Sequence, residues 1–167
     1  MNARTDTEQV ELANTALYDA MERGDLASLS ALWLDSEDGE DNKDGEGAKN
    51  GGTDGVSCVH PGWPVLRGRS EVLRSYALIM AHTEYIQFFL TDVAVSVHAD
   101  TALVTCTENI LSGGPAEEGG ALGPLVGQLV VATNVFRRTP EGWRIWSHHG
   151  SPVLAEPEED PDAGPSV

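Results

Sequence analysis

In this 167-residue chain, the stretch Ser57-Cys-Val-His-Pro-Gly-Trp-Pro64 places one titratable ring and one large aromatic between two prolines and a glycine. Proline fixes its own backbone angle and bars the preceding residue from the helical region, so Val59-His60-Pro61 leaves a strand in extended form. Gly62 then permits a sharp turn before Trp63. The result is a stiff corner that holds one imidazole in place. A free imidazole titrates near ~6.5, so His60 there could serve as a general base or acid at neutral pH. It could equally be a corner residue whose ring caps a backbone carbonyl. Trp63 either lines the mouth of a site or packs under the following helix.

Few other motifs compete with this one. The five histidines and two cysteines fall into no C-x-x-C or H-x-x-x-H spacing, so no metal site is expected. The sequence holds no serine nucleophile elbow, phosphate loop or dinucleotide fingerprint, and any reaction is expected to be cofactor-free. Cys58 and Cys106 both lie in strand-like surroundings and read as buried thiols, with a disulfide between them as the weaker alternative.

The elements that must position His60 follow from periodicity. Apolar residues recur at helical spacing from Val10 to Arg23, Gly24 stops that helix, and Asp25 caps a second from Leu26 to Trp33. A strand from Val56 to His60 leads into the corner, and Gly68 precedes a third helix over Arg69 to His82, with Leu73, Tyr76, Ala77 and Met80 as its buried stripe. Four alternating strands follow: Glu84–His98, Thr101–Leu111, Leu125–Thr139 and Trp143–Ser151. Helices placed ahead of an antiparallel meander predict an α+β layer fold with a hollow at one end of a curved sheet. One domain over residues 10–151 accounts for the patterned sequence. Residues 1–9, an acidic insert at 35–55 and an acidic tail at 152–167 read as disordered, because they carry too little apolar surface to offset the entropy of ordering.

The net charge of −17 is concentrated in those segments. The insert contributes −6 and the tail −5, leaving −6 for the remainder. So acidic a surface repels nucleic acid and anionic membranes, and neither is expected as a partner. No segment approaches the ~20 apolar residues of a membrane span, and the N-terminus lacks a signal-peptide core, so a cytoplasmic location is expected.

Several stretches together resemble the nuclear transport factor 2-like superfamily, and within it the SnoaL-like and ketosteroid-isomerase-like proteins. They are Glu22-Arg-Gly-Asp-Leu26 with Ala31-Leu-Trp33; His60-Pro61 ahead of Arg67-Gly68; the turn and strand Asp100–Thr107; Ala132-Thr-Asn-Val-Phe-Arg137; and Gly142-Trp-Arg-Ile-Trp-Ser-His-His149. The resemblance implies a cone-shaped α+β barrel, with three N-terminal helices packed on a curved, mostly antiparallel sheet. It also implies a role for particular residues. In the steroid isomerases a carboxylate followed by proline moves the proton, and His60-Pro61 looks like its counterpart. Their protonated acid on the penultimate strand is matched by Asn134, which can donate to a developing oxyanion. Their first-helix tyrosine aligns with Leu17. Tyr18 stands one place further on, turned by ~100° about the helix.

Alternation sorts the strands into faces. Ile145, Ser147, His149 and Ser151 share one face of the last strand, and Val130, Ala132, Asn134 and Phe136 the matching face of the strand before it. By resemblance these point into the hollow, joined by Thr105, Thr107 and Asn109, while Glu108 points outward unless a bulge reverses it. His60, Asn134 and His149 are then the expected catalytic group, with Tyr18, Trp63, Thr107, Asn109 and Phe136 around the substrate. His149 could instead be a hydrogen-bonded core residue. The expected function is that of a small-molecule enzyme of isomerase, cyclase or hydrolase type. The alternative is a non-catalytic ligand-binding or dimerisation module of the same fold. The outer face is expected to carry Val104, Cys106, Ile110, Leu129, Val131, Val135 and Trp146, and to pair two copies as a homodimer.

Overall fold

The computed structural model describes residues 4–35, 55–116 and 123–154. Most of the expected acidic insert at 35–55, most of the tail at 152–167 and residues 1–3 lie outside the described residues. The element order is α1 (Asp6–Glu22), α2 (Leu26–Leu32), β1 (Ser57–Val59), β2 (Leu66–Arg67), α3 (Arg69–His82), β3 (Tyr85–His98), β4 (Thr101–Gly113), β5 (Leu125–Thr139) and β6 (Gly142–Pro152). The predicted α+β arrangement of three helices on a mostly antiparallel sheet is therefore what the chain adopts. The sheet is open rather than a closed barrel: its order is β2-β1-β6-β5-β4-β3, and its outer strands β2 and β3 do not meet.

Helix α1 starts four residues before the apolar periodicity does. Thr5 caps it, its hydroxyl accepting from the Glu8 amide while the Glu8 carboxylate accepts from the Thr5 amide. Its buried face is Val10, Asn14, Leu17, Tyr18 and Ala20, and the apolar Leu12 lies off that face and is exposed. Two polar side chains, Asn14 and Tyr18, occupy the inner face because they find partners there. The same is true of Ser75 on α3, which is buried beside Val72 and Tyr76.

The pairing with β5 sets the faces of the strands on both sides of it. In β6 the pairing with β5 steps from Val135↔Ser147 to Phe136↔Ile145, so Trp146 is an extra, bulged residue. Ile145 and His148 therefore both point toward the helices, although three positions apart. His149 is exposed on the opposite face, which overturns its expected inward placement. In β4 the expected faces are reversed throughout. Pairing with β5 is unbroken and sets Glu108 opposite Val130, Cys106 opposite Ala132 and Val104 opposite Asn134. Directly paired residues share a face, so Val104, Cys106 and Glu108 are buried under the helices. Thr105, Thr107 and Asn109 lie on the outer side. A one-residue error in reading alternation moves every side chain to the wrong face.

Candidate active site

The helices and the sheet leave a cavity of about 210 Å³ between α1, α3, β3, β4 and the His60 corner. Much of its wall is apolar, including Leu17, Met21, Ile79, Ile86, Phe88 and Ile110. Five groups with chemistry join it: Tyr18, His60, Tyr76, Glu108 and His148. The corner reaches the cavity as the sequence implies. Gly62 takes a left-handed φ of 80° and the Trp63 amide closes the turn on the His60 carbonyl at 2.9 Å. Gly150 of β6 lies under Pro61, where a side chain would meet the proline ring at 3.1 Å, so the corner sits directly against the sheet.

The polar groups form an ordered network in which each proton can be assigned. Asn134 is wholly buried behind the cavity wall and donates from Nδ2 to Asn14 Oδ1 at 2.8 Å and to the Tyr18 hydroxyl at 3.1 Å. Its Oδ1 must then accept, and it does so from His148 Nδ1 at 2.5 Å. This leaves Nε2 of His148 as a bare acceptor. Tyr18 passes its own proton to Glu108 Oε1 at 2.6 Å. Glu108 Oε2 makes no hydrogen bond among the described residues. On the other side, the Ser75 hydroxyl donates to the Val72 carbonyl at 2.6 Å, so the 2.7 Å contact between Ser75 Oγ and His60 Nε2 is an N–H donated by the histidine. His60 thus keeps Nδ1 unprotonated, with its ring edge-on to Tyr76 at 4.8 Å and tilted to His148 at 6.2 Å between centroids.

Burial governs the charges. Desolvation raises Glu108 to a pKa of about 7, against the smaller lowering by the Tyr18 hydrogen bond. It depresses His60 to about 4, and His148 to about 3 with help from the neighbouring histidines. Burial, then the Glu108 charge, pushes Tyr18 well above its usual range. At neutral pH the site thus holds two neutral imidazoles, two protonated tyrosines and a carboxyl near its midpoint.

Of the site residues expected from sequence, Tyr18 and His60 line the cavity, Trp63 stands at its rim, and Asn134 braces the wall from behind. Phe136 is core and does not reach it. Thr107 and Asn109 face away: Asn109 Nδ2 donates to the Phe89 carbonyl at 2.9 Å and to Thr91, and Thr107 contacts Asp92. His149 is replaced by its neighbour His148. The groups that sequence reasoning missed are Glu108, His148, Tyr76, Ser75 and Asn14. One signal pointed to Glu108: it is the single acid in the apolar row Val104, Cys106, Ile110. Among the described residues no group of three histidine, cysteine or acidic side chains is arranged to hold a metal, and no helix is long and apolar enough to cross a membrane.

A family model described as a SnoaL-like domain matches residues 10–156. A crystal structure from Streptomyces avermitilis, named a "putative dehydratase from the NTF2-like family", is 72% identical over 90% of this chain and 97% of its own, with a TM-score of 0.77. A ketosteroid isomerase-like protein from Erwinia carotovora atroseptica superposes with a TM-score of 0.66 over 92% of this chain and 100% of its own at 17% identity. An NTF2-like superfamily protein from Salmonella enterica gives a TM-score of 0.69 over 93% and 96% at 14% identity, so these two show the fold alone. No curated protein sequence matches the chain.

Proposed function

As this chain belongs to the SnoaL-like family within the NTF2-like superfamily, we propose that it is an acid/base enzyme that removes water from a small hydroxylated carbonyl compound. The observation that carries the reading is the Tyr18–Glu108 pair: a carboxylate on the cavity wall, held at 2.6 Å by a tyrosine and titrating at about 7. A base is most effective with a pKa near the working pH, which favours Glu108 over His60 as the proton carrier. His60, at about 4, is too weakly basic at neutral pH to take that part.

The steps balance on one residue. Ionised Glu108 takes the proton from the carbon beside the carbonyl, and the C–H electrons move into an enolate. They return as a carbon–carbon double bond while the hydroxyl on the next carbon departs, accepting the proton Glu108 has just taken. Water leaves and Glu108 is ionised again. His148 Nε2 and His60 Nδ1, fixed as acceptors by Asn134 and Ser75, suit the substrate hydroxyl. A substrate without the leaving hydroxyl would instead have its double bond moved, the isomerase form of the same chemistry. The name of the Streptomyces avermitilis relative favours the elimination.

The test is a panel of β-hydroxy ketones, beginning with 3-hydroxycyclohexanone, followed by ultraviolet absorbance of the conjugated enone and by deuterium uptake from solvent. Wild-type protein should form enone, and Glu108→Gln should lose at least ~10²-fold of the rate. Enone formation that survives Glu108→Gln would remove Glu108 from the mechanism. Neither enone nor exchange across the panel would leave ligand binding as the better reading.

We also propose that the protein pairs with a second copy through the outer face of the sheet. The α-helices lie against the opposite side, and Phe89, Leu103, Leu129 and Val131 are each more than two-fifths exposed on the outer one.

A further inference from the structure

An enolate needs a hydrogen-bond donor at its oxygen, and counting protons around the cavity shows which buried group has one to give. Tyr18 donates to Glu108, and both Asn134 protons go to Asn14 and Tyr18. The His148 N–H goes to Asn134 and the His60 N–H to Ser75. Gln128 and Trp63 are solvent-exposed rim residues, and the other hydroxyls of the lining, Thr83 and Ser112, are only half-buried. Tyr76 remains. It lines the cavity and is 1% exposed, and its hydroxyl oxygen accepts a long contact from the Cys58 thiol at 3.9 Å. Its own proton has no oxygen or nitrogen acceptor among the described residues.

We infer that Tyr76 is the oxyanion donor of this site, its hydroxyl binding the carbonyl oxygen of the substrate while Glu108 works on the adjacent carbon. The inference rests on the carbonyl reading above. A donor already in place, buried and free of competing acceptors, strengthens as charge develops on the oxygen and needs no reorganisation. Burial above all holds the Tyr76 pKa well above its usual value, so the group stays protonated across the working range. Cys58, itself pushed up to about 12 by burial, stays a thiol and offers no anion to capture the proton.

The experiment is infrared spectroscopy of 2-cyclohexenone bound to the protein, read at the carbonyl stretch. Wild-type protein should shift the stretch to lower frequency than in an aprotic solvent. Tyr76→Phe should abolish the shift, and Tyr18→Phe should keep it. Turnover of the β-hydroxy ketone should fall ~10²- to 10³-fold in Tyr76→Phe, with the thermal midpoint nearly unchanged since only one long contact is lost. A shift or a rate that survives Tyr76→Phe overturns the assignment while leaving Glu108 and the elimination standing. Failure of wild-type protein to take up the ketone at all overturns both the carbonyl reading and the donor assignment.

Discussion

A single carboxylate links the proposed activity to the stability of the protein. Glu108 titrates at about 7 when folded, against an ordinary 4.5, so between those values the folded chain binds more protons than the unfolded one. Stability contributed by this group therefore falls as pH rises through that window, and the full cost applies above pH ~7, on the order of 3 kcal/mol at most. Glu108→Gln keeps an oxygen to accept from Tyr18 and removes the charge. It should raise the thermal midpoint at pH 8 and change it little at pH 4, where the glutamate is protonated in both states; a midpoint gain of equal size at both pH values would contradict this origin. The rate should rise with pH along a limb near 7 as Glu108 ionises. Tyr18→Phe deletes the hydrogen bond that lowers this pKa, so the limb should move upward, which a pH–rate profile of the two proteins measures. His60 was legible in the sequence as a residue held by a stiff corner. Its protonation state was not, because that depends on burial and on Ser75, fifteen residues away.

Elements were legible wherever a local rule makes them. The third helix runs over Arg69–His82 and the penultimate strand over Leu125–Thr139, as periodicity predicts. What periodicity did not yield is which side each element presents. Asn14 and Tyr18 turn inward on α1 because Asn134 and Glu108 satisfy them across 120 and 90 positions of sequence, and the bulge at Trp146 shifts the β6 face by one. In β4, Val104, Cys106 and Ile110 looked like an outer apolar row. Cross-strand pairing with Asn134, Ala132 and Gln128 places them inside. The start of α1 was missed for a different reason: its signal is a polar capping box rather than an apolar stripe. Thr5→Ala removes one half of that box and should cost about 1 kcal/mol, seen as a lower denaturation midpoint with unchanged cooperativity. An unchanged midpoint would show that the Asp6–Arg138 pair already fixes this end of the helix.

At the scale of the whole molecule, the cavity and the proposed dimer face lie on opposite sides of one sheet. Moving Val104, Cys106 and Ile110 to the inner face takes three apolar residues from the expected outer patch, but the same half-turn brings Leu103 outward, and the pairing places it beside Val135. Phe89, Asn109 and Leu129 then form one cross-strand row and Thr91, Thr107 and Val131 the next. The apolar Phe89, Leu129 and Val131 interleaved with small polar side chains suit close face-to-face packing, where the threonines and Asn109 leave room for a partner's aliphatic groups. A twofold axis through these rows buries the same residues on both copies and leaves both cavities open. Light scattering at micromolar concentration should give twice the mass of one chain, and Val131→Glu or Phe89→Glu should halve it by placing a carboxylate in the interface. Neither side chain belongs to the cavity lining, so 2-cyclohexenone should still bind to the resulting monomers. A wild-type protein that scatters as a single chain would end the proposal.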